Sequence, residues 1–294
     1  MKFFHLPITI IATGLVALSG AAGRSHAQGT GVPVYSQTTD AENQLKAAAD
    51  KMRAAGTLVR ETVLTNQFNR SSCALALPAP RETRMSNREL WAVARAAHLR
   101  IGWYHLCTKC NHWHIKQGGG YALTTDGAAA TCFHVVRPPD NFKEGYLIAA
   151  DEAGTIYPVT EILAANPDTD AAIIRIRAKK LNPLALNTAV FPGDRCVCFS
   201  DPLGERGYFS DGIVSRFLKP PARHGSNPAN VTRMDVTTDW APGSSGSAVL
   251  DEFGNAIGHV TYISQAKNTN GAASPTLITI HEAVSAKDVM SLIQ

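Results

Sequence analysis

After its first twenty residues this 294-residue chain has no apolar run approaching the ~20 residues that a membrane-spanning helix needs, so no stable membrane insertion is expected. Internal repeats and low-complexity tracts are also missing, which excludes solenoid and linker-dominated architectures. Charge of one sign is scarce too: 28 Lys and Arg face 24 Asp and Glu, and the formal net charge is +4. Without Lys2 and Arg24 of the leader described next, it falls to +2. Nothing in that balance points to a nucleic-acid partner.

What is present begins with a leader. Lys2 supplies a positive start, Ile8 to Leu18 an apolar stretch, and Ser25-His26-Ala27 a small-x-small cleavage site. Residues 1–27 therefore read as a secretory signal peptide cleaved near Ala27, with the mature chain secreted or periplasmic; an uncleaved N-terminal anchor is the alternative. Six cysteines in an exported chain are compatible with disulfide bonds. Cys196 and Cys198 are two apart on an expected strand and share a face, so a bond between them would strain extended backbone. Cys107 and Cys110 are the local pair.

The stretch Trp240-Ala241-Pro242-Gly243-Ser244-Ser245-Gly246-Ser247-Ala248-Val249 sets a serine in a glycine-flanked turn before an apolar strand, which is how a nucleophile is presented. Gly243 can take torsions that turn its N–H, with that of Ser245, toward a developing oxyanion. A hydroxyl needs a base and an orienting acid to become nucleophilic at neutral pH. His134, in Thr131-Cys132-Phe133-His134-Val135-Val136, is the candidate base. Asp170 opens the apolar run Ala171-Ala172-Ile173-Ile174 and is the candidate acid, with Asp168 two residues earlier as its competitor.

The order His134, Asp170, Ser245 resembles that of trypsin-like serine peptidases, and in particular the Deg/HtrA-type branch. The resemblance rests on Gly119-Gly120-Tyr121-Ala122-Leu123, Asp126-Gly127, the His134 block, Asp170-Ala171-Ala172-Ile173 and Gly243-Ser244-Ser245-Gly246-Ser247. Two further blocks agree with it, residues 192–204 and Asp211-Gly212-Ile213-Val214-Ser215. It covers roughly residues 86–294. It implies an all-β domain of two six-stranded antiparallel barrels, a His134-Asp170-Ser245 triad, an oxyanion hole at the Gly243 and Ser245 N–H groups, and hydrolysis of protein or peptide substrates through an acyl-enzyme without a cofactor. The segment after the peptidase blocks is too short for the PDZ module of many relatives, so control by such a module is not expected.

The resemblance leaves specificity open. Gly258-His259-Val260-Thr261 is the expected pocket strand, where a one-residue slip exchanges His259 for Val260. Asp239 is the candidate selector of basic residues, but the same Thr-Asp pair occurs in Deg/HtrA-like strands without that specificity; the expected P1 residue is small or medium-sized and apolar. A catalytically weak binding or chaperone-like protein on the same fold is the alternative function.

A second segment of interest is His105-Leu106-Cys107-Thr108-Lys109-Cys110-Asn111-His112-Trp113-His114. A c-type haem site fails because Asn111, not histidine, follows the second cysteine. Three readings stay open: a disulfide-closed or thiol-bearing hairpin, a metal site using Cys107 and Cys110 with His112 or His114, and redox chemistry.

Upstream, residues 28–84 read as an extension and linker. Thr39 and Glu42 are spaced as a capping box, and Leu45, Ala48, Met52, Ala55, Val59 and Val63 recur at helical intervals. This helix either packs on the barrel or serves as a homo-oligomerisation element. Ser86 and Glu89 form a second capping box opening a short helix to about Ala97, and Arg100 to Tyr104 is the first strand. The peptidase domain is expected over 85–294, with strands to about Ile263 and a C-terminal helix carrying Val284, Val289, Leu292 and Ile293.

Overall fold

Helix α1 runs Thr38–Ala54 and stops where Gly56 takes a positive φ of 65°. There the Thr57 N–H donates to the Met52 carbonyl and the Gly56 N–H to that of Arg53, the paired bonds of a Schellman cap. The single helix expected through Val63 is therefore two, the second being α2, Glu61–Thr65. The glycine cap outweighs the apolar periodicity that crosses it. The computed structural model describes residues 33–35, 38–220, 231–267 and 276–294; the signal peptide expected over 1–27 and the side chain of Thr39, hence its capping box, lie outside the described residues. Helix α1 turns Leu45 and Ala49 inward, Ala49 packing with Tyr104 and Ile148 of the first barrel. The Tyr104 hydroxyl donates to Asp50, and the Arg53 guanidinium sits 4.5 Å above the Trp113 ring.

Helix α3, Asn87–Ala97, starts at the expected capping box: Ser86 Oγ accepts the Glu89 N–H, and the Glu89 carboxylate accepts the Ser86 N–H at 2.8 Å. The chain then forms β1 (His98–Cys107), β2 (Trp113–Ala122), β3 (Ala128–Thr131), the one-turn helix α4 (Phe133–Val136), β4 (Phe142–Ala150), β5 (Ile156–Asn166) and β6 (Ala171–Ile176). These six strands close into an antiparallel barrel in the order β1-β2-β3-β6-β5-β4. Strands β7 (Arg195–Ser200), β8 (Tyr208–Leu218), β9 (Arg233–Val236), β10 (Ala248–Asp251), β11 (Ala256–Lys267) and β12 (Thr276–Ser285) close a second, in the order β10-β11-β12-β9-β8-β7. Two six-stranded antiparallel barrels are thus the architecture, as expected.

The C-terminus departs from expectation. Strand β12 replaces the first part of the expected terminal helix, which shrinks to α5, Ala286–Met290. Val284, Val289 and Leu292 are still buried. Val284 reaches the core from a strand because closing the second barrel requires β12 between β11 and β9.

Side-chain alternation sorts the core into three parts. Leu99, Ile101 and Trp103 of β1 fill the first barrel with Ile162 and Ile174. Cys196 and Cys198 of β7 face the second barrel's interior with Met234, Val249 and Ile257, confirming their shared face. Burial pushes both thiols up to about 12. The residue between them, Val197, together with Phe199, packs into the seam against Tyr121, Leu123 and Ile173 of the first barrel and Leu90 of α3. All six cysteines are unbridged.

Because Leu90 is fully buried in that seam, Leu90→Ala is expected to lower stability by about 2–5 kcal/mol. Urea unfolding of parent and variant measures it, and a loss below about 1 kcal/mol would contradict the assigned packing.

Candidate active site

Strands β3 and β6 are antiparallel neighbours, with Thr131 opposite Ala172. The residues just after β3 therefore meet those just before β6, which brings His134 of α4 to Asp170. The Phe133 N–H donates to the Asp170 carbonyl, and the His134 N–H to Asp170 Oδ1 at 3.0 Å. His134 Nδ1 lies 2.8 Å from Asp170 Oδ2. An ionised carboxylate only accepts, so Nδ1 carries the proton and Nε2 is left as the acceptor. Asp170 sits at φ 55°, left-handed backbone that aspartate tolerates better than most residues. Asp168 is not the residue on the imidazole; its N–H donates to Asn166 Oδ1.

A third donor holds this carboxylate. Thr261 Oγ1 of β11 donates to Asp170 Oδ2 at 2.5 Å. Burial on its own would raise the Asp170 carboxyl, but the hydrogen bonds from His134 and Thr261 and the nearby imidazole outweigh it and hold the group down to about 2. Thr261 was not identified from the sequence, since nothing ties a strand threonine to an acid 91 residues away. Cys132, beside His134, is fully buried with its Sγ on the Val260 carbonyl, and burial keeps it a neutral thiol.

Ser245 comes from the second barrel. Its turn contains Gly243 at φ 103° and Gly246 at φ 91°, both reserved in practice for glycine. The Gly246 N–H donates to the Val260 carbonyl and the Val260 N–H to that of Ser247, pinning the turn on β11. Across the seam the Gly119 N–H of β2 donates to the Ser245 carbonyl at 2.7 Å. That approach depends on missing side chains. A Cβ on Gly119 would lie 2.0 Å from Ser247 Oγ, and one on Gly246 2.3 Å from the Gly119 carbonyl oxygen.

His134, Gly243 and Ser245 line one open cleft, together with Trp103, Lys116, Gln117 and Arg137. The His134 side chain is 46% exposed, so a substrate can reach it. Among the described residues, neither the Ser245 hydroxyl nor the N–H groups of Gly243 and Ser245 are engaged in a hydrogen bond. Ser245 and His134 thus share the cleft without being joined.

The residues expected in a specificity pocket lie elsewhere. His259 is fully buried, with Nε2 3.4 Å from the Asp170 carbonyl, and burial lowers it to about 4 so that it is neutral. Val260 packs into the second barrel. Asp239 is exposed, its backbone tied to the Ser210 hydroxyl. None of the three lines the cleft. A second cluster stands at the β1–β2 hairpin tip: Cys107, Cys110 and His114 bring their Sγ and Nε2 atoms within 4.8 Å of one another, without His112. The Cys110 and Lys109 N–H groups bring the Cys107 thiol down to about 7.

Residues 118–258 match the trypsin-like peptidase domain family. The chain is similar to Protease Do-like 5, chloroplastic, of Arabidopsis thaliana, at 27% identity over 151 residues, covering 48% of this chain and 46% of that protein. It is 28% identical over 153 residues to a probable periplasmic serine endoprotease, DegP-like, of Chlamydia pneumoniae, covering 50% of this chain and 29% of the relative. These matches span less than half the length of either relative. A solved HtrA-type protease, AlgW with tripeptide, superposes with a TM-score of 0.53 at 23% identity over 69% of this chain and 60% of its own.

Two outcomes follow from the geometry. Gly119→Ala is expected to cost about 1–3 kcal/mol through overpacking against Ser247; unchanged urea unfolding would show that the seam can open freely. Asp170, held below its ordinary 3.8, contributes stability that is full above about pH 4 and lost as pH falls through about 2, amounting to about 2 kcal/mol. The stability gap between the parent and Asp170→Asn should narrow over that window, and a gap independent of pH would refute the assignment.

Proposed function

From the premise that this chain carries a trypsin-like peptidase domain related to the Deg/HtrA proteases, we propose that it is an exported serine endopeptidase working through His134, Asp170 and Ser245. The observation that carries this reading is the convergence of an Asp170-oriented imidazole from one barrel and a glycine-turn serine from the other on a single cleft.

In the proposed reaction Ser245 Oγ turns toward His134 Nε2, gives up its proton there and attacks the scissile carbonyl. His134 then passes that proton to the leaving amine, and water repeats the sequence to release the acyl group. Asp170, with its three donors, keeps Nδ1 protonated and the ring in place. The uncommitted N–H groups of Gly243 and Ser245 are suited to receive the oxyanion, a contribution worth on the order of 10²–10³ in rate for one such donor. Protein or peptide chains are the substrate class this chemistry serves. Export is supported by the leader pattern at residues 1–27 and by the periplasmic relative. Helix α1 is read as a packing element of the first barrel.

A second reading, binding without turnover, is favoured by the unjoined Ser245 and His134. Resting sites often tighten only around substrate, so the peptidase reading leads. Reaction of the purified mature protein with a fluorophosphonate probe separates the two. Labelling is expected in the parent and lost in Ser245→Ala; a folded parent that stays unlabelled would favour the binder. On a cleavable peptide, Asp170→Asn is expected to lose about 10⁴ in kcat while Asp168→Asn stays near the parent. The reverse ranking would reassign the acid.

A further inference from the structure

The β1–β2 hairpin ends in a tight turn whose groups the peptidase chemistry does not use. Cys107 closes it: its N–H donates to the His112 carbonyl at 3.0 Å, and its own carbonyl accepts from the Asn111 N–H at 3.1 Å. Asn111 supplies the left-handed residue, at φ 58°, that lets the chain curl back. Inside the curl the Lys109 N–H points at Cys107 Sγ at 3.3 Å, and Asn141 Nδ2 donates to it at 3.1 Å. Two donors from different loops thus converge on this one sulfur and hold it in place.

The other two groups face this sulfur. Cys110 Sγ lies 2.9 Å from His114 Nε2, and the three candidate atoms all fall within 4.8 Å of one another. A tetrahedral ion with Zn–S near ~2.3 Å and Zn–N near ~2.0 Å needs ligand separations of about 3.5–3.8 Å, which these side chains reach by small rotations. Cys107 is buried, whereas Cys110 and His114 are exposed, so an ion can enter from solvent. His105 pairs across the strands with His114 and shares a face with Cys107. It is 2% exposed, with an unpartnered Nε2. The His105 and His114 ring centroids are 6.1 Å apart, so a buried polar atom without a partner lies close to the tip cluster, which packing alone does not explain.

We propose that the hairpin tip is a metal site holding one zinc-type divalent cation through Cys107 Sγ, Cys110 Sγ and His114 Nε2, with solvent at the fourth position. Two thiolates and one imidazole form the ligand set that borderline ions of this kind prefer. Binding releases one proton from each thiol to solvent, and the cation with two thiolates is neutral overall, so the nearby Lys109 and Lys143 do not repel it. The ion clips the end of a hairpin whose Trp103, Lys116 and Gln117 line the catalytic cleft. His112 is not a ligand.

The test uses the full mature chain, reduced, stripped with a chelator and titrated with Zn²⁺ against a chromophoric competitor. One equivalent is expected to bind, with Cys110→Ser and His114→Gln each weakening it by about 100-fold or more and His112→Ala leaving it unchanged. Co²⁺ on the parent should give thiolate charge-transfer absorption in the near ultraviolet, a readout that does not depend on any variant folding. No stoichiometric binding, equal affinity in the ligand variants, loss with His112→Ala, or a native chain whose mass shows a Cys107–Cys110 disulfide and which takes up no Zn²⁺ until reduced would each overturn the proposal. Fluorophosphonate labelling is independent of all these readouts, so failure of the metal site and failure of the peptidase reading are distinguishable.

Discussion

The hydrogen bond from the Gly119 N–H to the Ser245 carbonyl is the contact on which the arrangement turns. The imidazole belongs to one closed barrel and the serine to the other, and each barrel satisfies its own ladder bonds without reference to its neighbour. What sets their relation is a seam in which backbone meets backbone at Gly118, Gly119 and Gly246, where no side chain could be inserted. Around it the apolar seam residues of β2, β6, β7 and α3 supply burial, which is non-directional; the glycine contact supplies the register.

On that frame the two halves of the site differ in how firmly they are held. His134 and Asp170 sit at the ends of paired strands, where the His134 N–H and Nδ1–H both donate to the carboxylate, and Thr261 from the second barrel adds a third donor. The acid is thus gripped from both barrels, and the imidazole has little freedom to leave it. Ser245 is fixed in its backbone by three hydrogen-bonded neighbours, but its hydroxyl and the two N–H groups of its turn are uncommitted. That combination, rigid backbone with free polar atoms, suits groups meant to engage something absent from the chain itself.

The hairpin β1–β2 ties the Cys107 cluster to this site. Its middle supplies Trp103, Lys116 and Gln117 to the cleft and Gly119 to the seam, while its tip gathers Cys107, Cys110 and His114. Ordering the tip restrains both strands, because nine consecutive cross-strand pairs from His98 opposite Tyr121 to Leu106 opposite Trp113 transmit any displacement along them.

Local sequence determined much of this. The Ser86–Glu89 capping box, the shared face of Cys196 and Cys198, the glycine-flanked serine turn and the His134 and Asp170 blocks are each written within a few neighbouring residues, where hydrogen-bond geometry and strand alternation act. Where local signals compete, sequence alone misleads: apolar periodicity runs through the Gly56 cap, and Val284 keeps a helical spacing although barrel closure requires a strand there. Only the tertiary structure decided that Thr261 joins Asp170, that His259 lies buried beneath that acid instead of in the cleft, and that Gly119 must lack a side chain because Ser247 stands against it. Those facts depend on which residues closure of two barrels brings together across 89 or more positions of chain, and no spacing along the chain encodes that.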